Sequence, residues 1–166
     1  MNTTLNEIKI YNPCIEGWKK LLDSLNKTSA DDEPLSFAHI LKSNGIKDAV
    51  WSLRVLPLKD QALFRADVAE SVLHLFESKY PSDTRPGKCI DVLRLFARGE
   101  ISDRDLGKKA AAAYDAYAAI RASYTDAAYA AHAAYAAHSV HSTYFVDRIY
   151  KWQEIEKLFI KHFCGE

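Results

Sequence analysis

His132, His138 and His141 come nearest to a metal-binding set in this chain. A metal ion needs three or four donors converging from elements that fix their directions. On a helix, residues 132 and 138 point about 120° apart, so they do not chelate one ion. His138 and His141 share a face at i and i+3, and they would need a third ligand from another element, such as Asp147 or His162. Solvent-facing or hydrogen-bonded histidines are the simpler account, and no metal or cofactor is expected.

Acid–base chemistry has a similarly thin basis. Asp31, Asp32 and Glu33 are neighbours, but "NKTSADDEP" is a polar loop with no apolar setting to move a carboxyl pKa. The chain contains no GxSxG, HExxH, Walker loop or GxGxxG, and the Gly-Lys of "RPGKC" is not a phosphate cradle. No catalytic residue is expected. Asp48, Trp51 and Arg54 recur at i, i+3 and i+6, and Asp83 and Arg85 flank a turn. Both sets read first as structural ties made by arginine's fork of donors, and second as partner contacts.

The strongest candidate for recognition is a stripe of aromatic side chains. From Ala110 to Ala137, sixteen of twenty-eight residues are alanine, with no Gly or Pro, so this stretch is expected to be helical. At a helical step of about 100°, Tyr114, Tyr117, Arg121, Tyr124, His132 and Tyr135 fall within a stripe of about 80°. One reading is a core seam, with rings packed between helices and hydroxyls at the rim. The other is a rigid Tyr/Arg/His binding surface, since aromatics and Arg make anchors at low entropic cost. The pentapeptides "AYAAI" at 116 and "AYAAH" at 128 and 134 are unevenly spaced, which indicates local low complexity and not a repeat fold. Thr125 is the only Thr in the stretch, so the regularly spaced threonines of an ice-binding helix are missing.

The surrounding elements are punctuated as helices. In "YNPCIEGWKKLLDSLNK", Asn12 is positioned to cap and Pro13 to take the first turn of an amphipathic helix ending near Asn26. "SFAHILKSNG" follows, capped at Ser36 and closed by Gly45, and then "IKDAVWSLRVLP", stopped by Pro57. "LKDQALFRADVAESVLHLFESKY" sets Leu63, Phe64, Val68, Val72, Leu73, Leu75 and Phe76 broadly on a core face. In "DTRPGKCIDVLRLFARGE", Asp83 or Thr84 caps and Gly99 ends the helix. Ser102 and Asp105 then make a variant capping box before the Ala-rich helix, which runs to about residue 139. "STYFVDRIYKWQEIEKLFIKHF" closes the chain. No strand is expected. The fold class is all-α: one domain over residues 1–166, a bundle of six or seven helices with its long Ala-rich helix near the C-terminus.

Composition excludes several classes. Twenty-two Lys and Arg balance twenty-two Asp and Glu, so no net field draws the chain to nucleic acid or an anionic membrane, nor does it mimic DNA. Cys14, Cys89 and Cys164 are far apart, without metal-ligand spacing, and fit reduced, mostly buried thiols of a cytoplasmic protein. No leader or membrane span is evident.

Three pieces, "NGIKDAVWSLR", "YPSDTRP" and "FARGEIS", followed by an Ala- and aromatic-rich helix, resemble a family of bacteria and their phages labelled "putative immunity protein", over roughly residues 36–140. This sequence carries Tyr and His in the Ala-rich helix where usual members carry more Trp and Arg. The resemblance implies a non-enzymatic protein that neutralises a partner enzyme, either a toxin or a host defence nuclease. Tyr114, Tyr117, Arg121, Tyr124, His132 and Tyr135 are the candidate partner-binding residues. A Tyr/His-lined small-ligand pocket and self-association as a homodimer are the alternatives.

Overall fold

Thr4 starts the first helix, α1 (Leu5–Ile10). Its hydroxyl accepts from the Glu7 amide, and the Glu7 carboxylate accepts from the Thr4 amide, each at 3.1 Å. This capping box satisfies two donors that a helix end otherwise leaves open. The helix is absent from the sequence expectation, although Thr-x-x-Glu signals it. In the computed structural model, which describes residues 1–120 and 152–165, the chain divides into two compact units. One comprises Met1–Pro57 with Glu156–Glu166, and the other Leu58–Ile155. Eight α-helices lie among the described residues, so the all-α class holds.

In the first unit, α2 (Ile15–Ser24) begins two residues later than Pro13 suggests. Asn12 sits at φ 51°, in the left-handed region, and is not the cap. Cys14 caps instead, its Sγ accepting from the Gly17 amide at 3.3 Å. Ser36 caps α3 (Phe37–Asn44) as expected, accepting from the His39 amide at 3.1 Å. Gly45 separates α3 from α4 (Ile46–Ser52) at φ 89° and ψ 173°, a conformation that a side chain resists. Contrary to the all-helix expectation, two short strands occur. β1 (Asn2–Thr3) pairs antiparallel with β2 (Leu35–Ser36), and two residues per strand are too few to show an alternating pattern.

The aromatic centre of this unit joins distant parts of the chain. Phe37 meets Phe159 edge-on at 6.3 Å between ring centroids and Phe163 at 5.8 Å, while Phe159 and Phe163 lie 5.2 Å apart. All three are buried. The last helix, α8, is described from Trp152 to Phe159 and runs into a wider π turn, Ile160–Cys164. At the other edge of α3, the Asn44 amide donates to both the Gly17 carbonyl and the Asp48 carboxylate, each at 2.8 Å, binding α2, α3 and α4 together.

The second unit is built on α5 (Leu58–Glu77), α6 (Arg85–Arg98) and α7 (Asp103–Ile120). Leu63, expected in the core, is 44% exposed. The reason is that α5 buries two adjacent stripes. One contains Ala62, Ala66 and Ala69, and the other Gln61, Arg65, Val68 and Val72, so the buried arc turns away from Leu63. Gly99 ends α6 in the left-handed conformation, as expected, with φ 79° and ψ 17°. Ser102 then accepts from the Asp105 amide at 3.3 Å, and its own hydroxyl donates to the Asp105 carboxylate at 2.8 Å. The Ala-rich helix is described as far as Ile120; its expected run to residue 139 lies outside the described residues.

Two glycines give opposite expectations for the same change. A Cβ on Gly17 would lie 2.7 Å from Asp48 Oδ2 and 3.1 Å from Cys14 Sγ, whereas one on Gly107 would meet nothing within 4 Å. Gly107→Ala should therefore stabilise by about 0.5–1 kcal/mol through helix propensity. Gly17→Ala should destabilise by about 1–3 kcal/mol, because Asp48 is held by Asn44 and must move. Urea unfolding of the two variants checks both signs.

Candidate partner interface

Small side chains determine how the second unit is assembled. Ala62, Ala66 and Ala69 share one stripe of α5 and bury themselves in a cluster with Ile90, Val92, Leu93 and Phe96 of α6 and Leu106 of α7. Alanine at helical spacing lets the neighbouring backbone come close. An ionic clamp joins the same two helices outside this seam. The Arg94 guanidinium donates to both Glu70 oxygens, at 2.9 and 2.5 Å, and to Asp67 Oδ1 at 3.2 Å. Hydrogen bonding to Arg94 holds the Glu70 carboxyl below its ordinary value, and the same bonds raise the Arg94 pKa.

The turn into α6 is fixed by a second fork. Arg85 Nε and Nη2 donate to the two Asp83 oxygens at 2.9 and 2.6 Å, and the Arg85 amide donates to Asp83 Oδ1 at 3.2 Å. Asp83 thus does the work of a cap, while Thr84, at the N-cap position, makes no side-chain cap bond. The Asp83–Arg85 pair is a structural tie, which was the first of its two sequence readings.

The position of α7 on this hairpin follows from two buried residues. Leu106 enters the main cluster, and one turn further on Ala110 packs against Cys89. Burial pushes the Cys89 thiol up to about 12, so it stays protonated and behaves as a small apolar group. Further along, the charge of Asp115 adds to the raised pKa of Arg85, which sets Asp115 near the first residue of α6. The helices run antiparallel: residues 106, 110 and 115 of α7 meet successively earlier parts of α6. Asp115 and Ala111 are exposed.

Of the six candidate partner-binding residues, Tyr114 and Tyr117 belong to α7, four and seven residues beyond Ala110. Arg121, Tyr124, His132 and Tyr135 lie outside the described residues, as do His138, His141 and Asp147. His162 falls in the terminal π turn, and among the described residues no three His, Cys, Asp or Glu side chains gather as metal ligands. The Asp48, Trp51 and Arg54 set separates. Arg54 lies 4.0 Å over the Trp51 ring and its Nε donates to the Trp51 carbonyl at 2.8 Å, while Asp48 turns to Asn44. Asp31 and Glu33 both pair with Lys27, at 2.5 and 2.6 Å, and Asp32 accepts from Asn6 at 2.8 Å, so the acidic loop is tied back to α1 and to the turn that follows α2. Cys14 is exposed and Cys164 half-buried, against the expectation of mostly buried thiols.

Two features escape the sequence reading. Ile10 and Ile15 are 74% and 86% exposed on either side of the Asn12 bend, with Tyr11 at 44%. An amphipathic pattern gives no warning of this, because Ile15 falls before the helix has completed a turn. The other is Arg65, a charged side chain buried inside α5, whose one available signal is its place in the stripe with Gln61, Val68 and Val72. Among the described residues no helix is long and apolar enough to cross a membrane.

Residues 57–145, more than half of the chain, match the model of a family described as "Imm-5 like putative immunity protein". The match starts at the residue before α5 and takes in all of α6 and α7. No curated protein and no solved structure matches the chain.

The clamp makes an acid-sensitive contribution. Because the folded-state pKa of Glu70 is depressed, its stabilisation is present above the ordinary value of 4.5 and is lost as pH falls through the folded value. Glu70 is about half exposed, so solvent screens the pair. A double-mutant cycle of Arg94→Ala and Glu70→Ala should give a coupling of about 0.5–1 kcal/mol at neutral pH. The same cycle below pH 4.5 should show that coupling shrinking towards zero.

Proposed function

The chain belongs to the Imm-5 like immunity protein family, and from that premise we propose that it is a non-enzymatic inhibitor. It acts in the cytoplasm and occludes the active site or substrate groove of one partner enzyme. The partner is a toxin whose producer needs protection or, for a phage-borne copy, a host defence nuclease.

The observation that carries this reading is the register of α7. Leu106 and Ala110 face α6, and by helical spacing in the sequence alone Tyr114, Tyr117, Arg121, Tyr124, His132 and Tyr135 share one stripe with them. α6 begins at Arg85, whose charge is near enough to feel that of Asp115. Each further residue of a helix advances about 1.5 Å, and Tyr117 stands two residues beyond Asp115 on α7. An aromatic run of this kind on a helix is a natural seat for a partner. Tyr and Arg are the residue types that anchor such contacts, and the balanced charge of the chain leaves specificity to shape and hydrogen bonding.

Affinity capture from host lysate tests the reading, with the parent compared to Tyr117→Ala/Tyr124→Ala. The expected result is one enzyme retained by the parent, with its affinity lowered about 30-fold or more in a double variant that keeps its helical circular dichroism. Recovery of no enzyme by the parent, or equal recovery by both proteins, would sink the proposal.

A further inference from the structure

Arg65 is 5% exposed, in the middle of α5, on the stripe adjacent to the Ala62–Ala66–Ala69 seam. Its Nη2 donates to the Gln61 side-chain oxygen, itself buried one turn earlier. Nη1 is fully buried and has no hydrogen-bond partner among the described residues. The two carboxylates that follow on α5, Asp67 and Glu70, are taken by Arg94. Burial alone moves the Arg65 pKa, to about 10, with no acid acting on it. At neutral pH the side chain is therefore a charged guanidinium shielded from water, with no carboxylate among the described residues to balance it.

Such a group is costly. A buried cation is tolerated when an anion and a full set of acceptors come with it, and here, among the described residues, one neutral amide oxygen is the provision. A methionine of similar length would fill the same space without charge, so packing does not call for arginine at this position. What the arginine does supply is a planar fork of donors, half of it engaged by Gln61 and half left open. Gln61 fixes the plane of that fork, which preorganises the open edge for two-point contact with oxygens.

We propose that Arg65 and Gln61 form an oxyanion-binding site, which takes a free phosphate-sized anion, a phosphate or a small carboxylate, on the open Nη1 edge of Arg65. A buried group is out of reach of a protein side chain docking on the surface, whereas a small anion needs no more than a local opening of the unit. The inference is independent of the partner reading above: it concerns a different stripe on a different helix, and it stands or falls without any partner enzyme.

Thermal melting of the full chain tests it. Sodium phosphate, and separately sodium acetate, is titrated against sodium chloride at constant ionic strength, for the parent, Arg65→Met and Arg65→Lys. The expected result is a saturable rise in the parent with at least one of the two anions, about 5–10 °C at a concentration 100-fold above half-saturation. Arg65→Met should show no saturable rise and, without added anion, should melt at or above the parent. Arg65→Lys keeps the charge but not the fork, so its half-saturating concentration should increase about tenfold or more. A parent that gives no saturable response to either anion overturns the site. So does a rise that is linear and shared by all three proteins, which is the signature of anion exclusion from the protein surface, or a half-saturation unchanged in Arg65→Lys.

Discussion

How closely α5 and α6 approach is set by three alanines on one stripe, and the position of everything that follows in the second unit depends on that distance. With Ala62, Ala66 and Ala69 at the contact, the larger residues of α6, Ile90, Leu93 and Phe96, reach across to fill the seam. α6 in turn offers Cys89 to Ala110, another small-on-small contact, and the main cluster takes in Leu106. The direction of α7 is thus inherited from two successive close approaches. The Arg94 clamp and the Asp83–Arg85 fork add register at the rim, where charge is cheap to solvate and geometry is more valuable than energy.

Much of this was legible in the sequence where the signal was local. Ser36, Gly45, Gly99 and Ser102 each do what their residue type suggests, because capping and left-handed turns are decided within a few residues. Cys14 displaced Asn12 as a cap because the chain bends through a positive φ at Asn12, which short-range preference does not announce. The two strands could not be read because two residues per strand carry no alternation. Leu63 failed for a different reason: one helix buries two stripes, so the mean apolar direction is not the direction of either. Of the candidate partner residues, Tyr114 and Tyr117 stand on a helix as expected, and the other four lie outside the described residues.

α5 holds two kinds of interior side by side. Its alanine stripe is consistent at every level, with small residues, helical spacing and a dry contact. The adjacent stripe sets Gln61 and Arg65 in line with Val68 and Val72, a local conflict between burial and charge. In a chain whose other choices agree with its fold, a conflict of this kind is where function is most economically sought.

The Phe37, Phe159 and Phe163 cluster has a consequence for the order in which the protein comes into being. These rings are drawn from opposite ends of a long stretch of chain, while the contacts among α5, α6 and α7 join neighbours in sequence. During synthesis the helical hairpins can close as soon as they emerge, since the loops between them are short. Phe37 must wait for more than a hundred further residues before its partners exist. Until then a bulky apolar ring and the stub of sheet beside it remain uncovered, and the earlier-made half of the molecule is the later to finish.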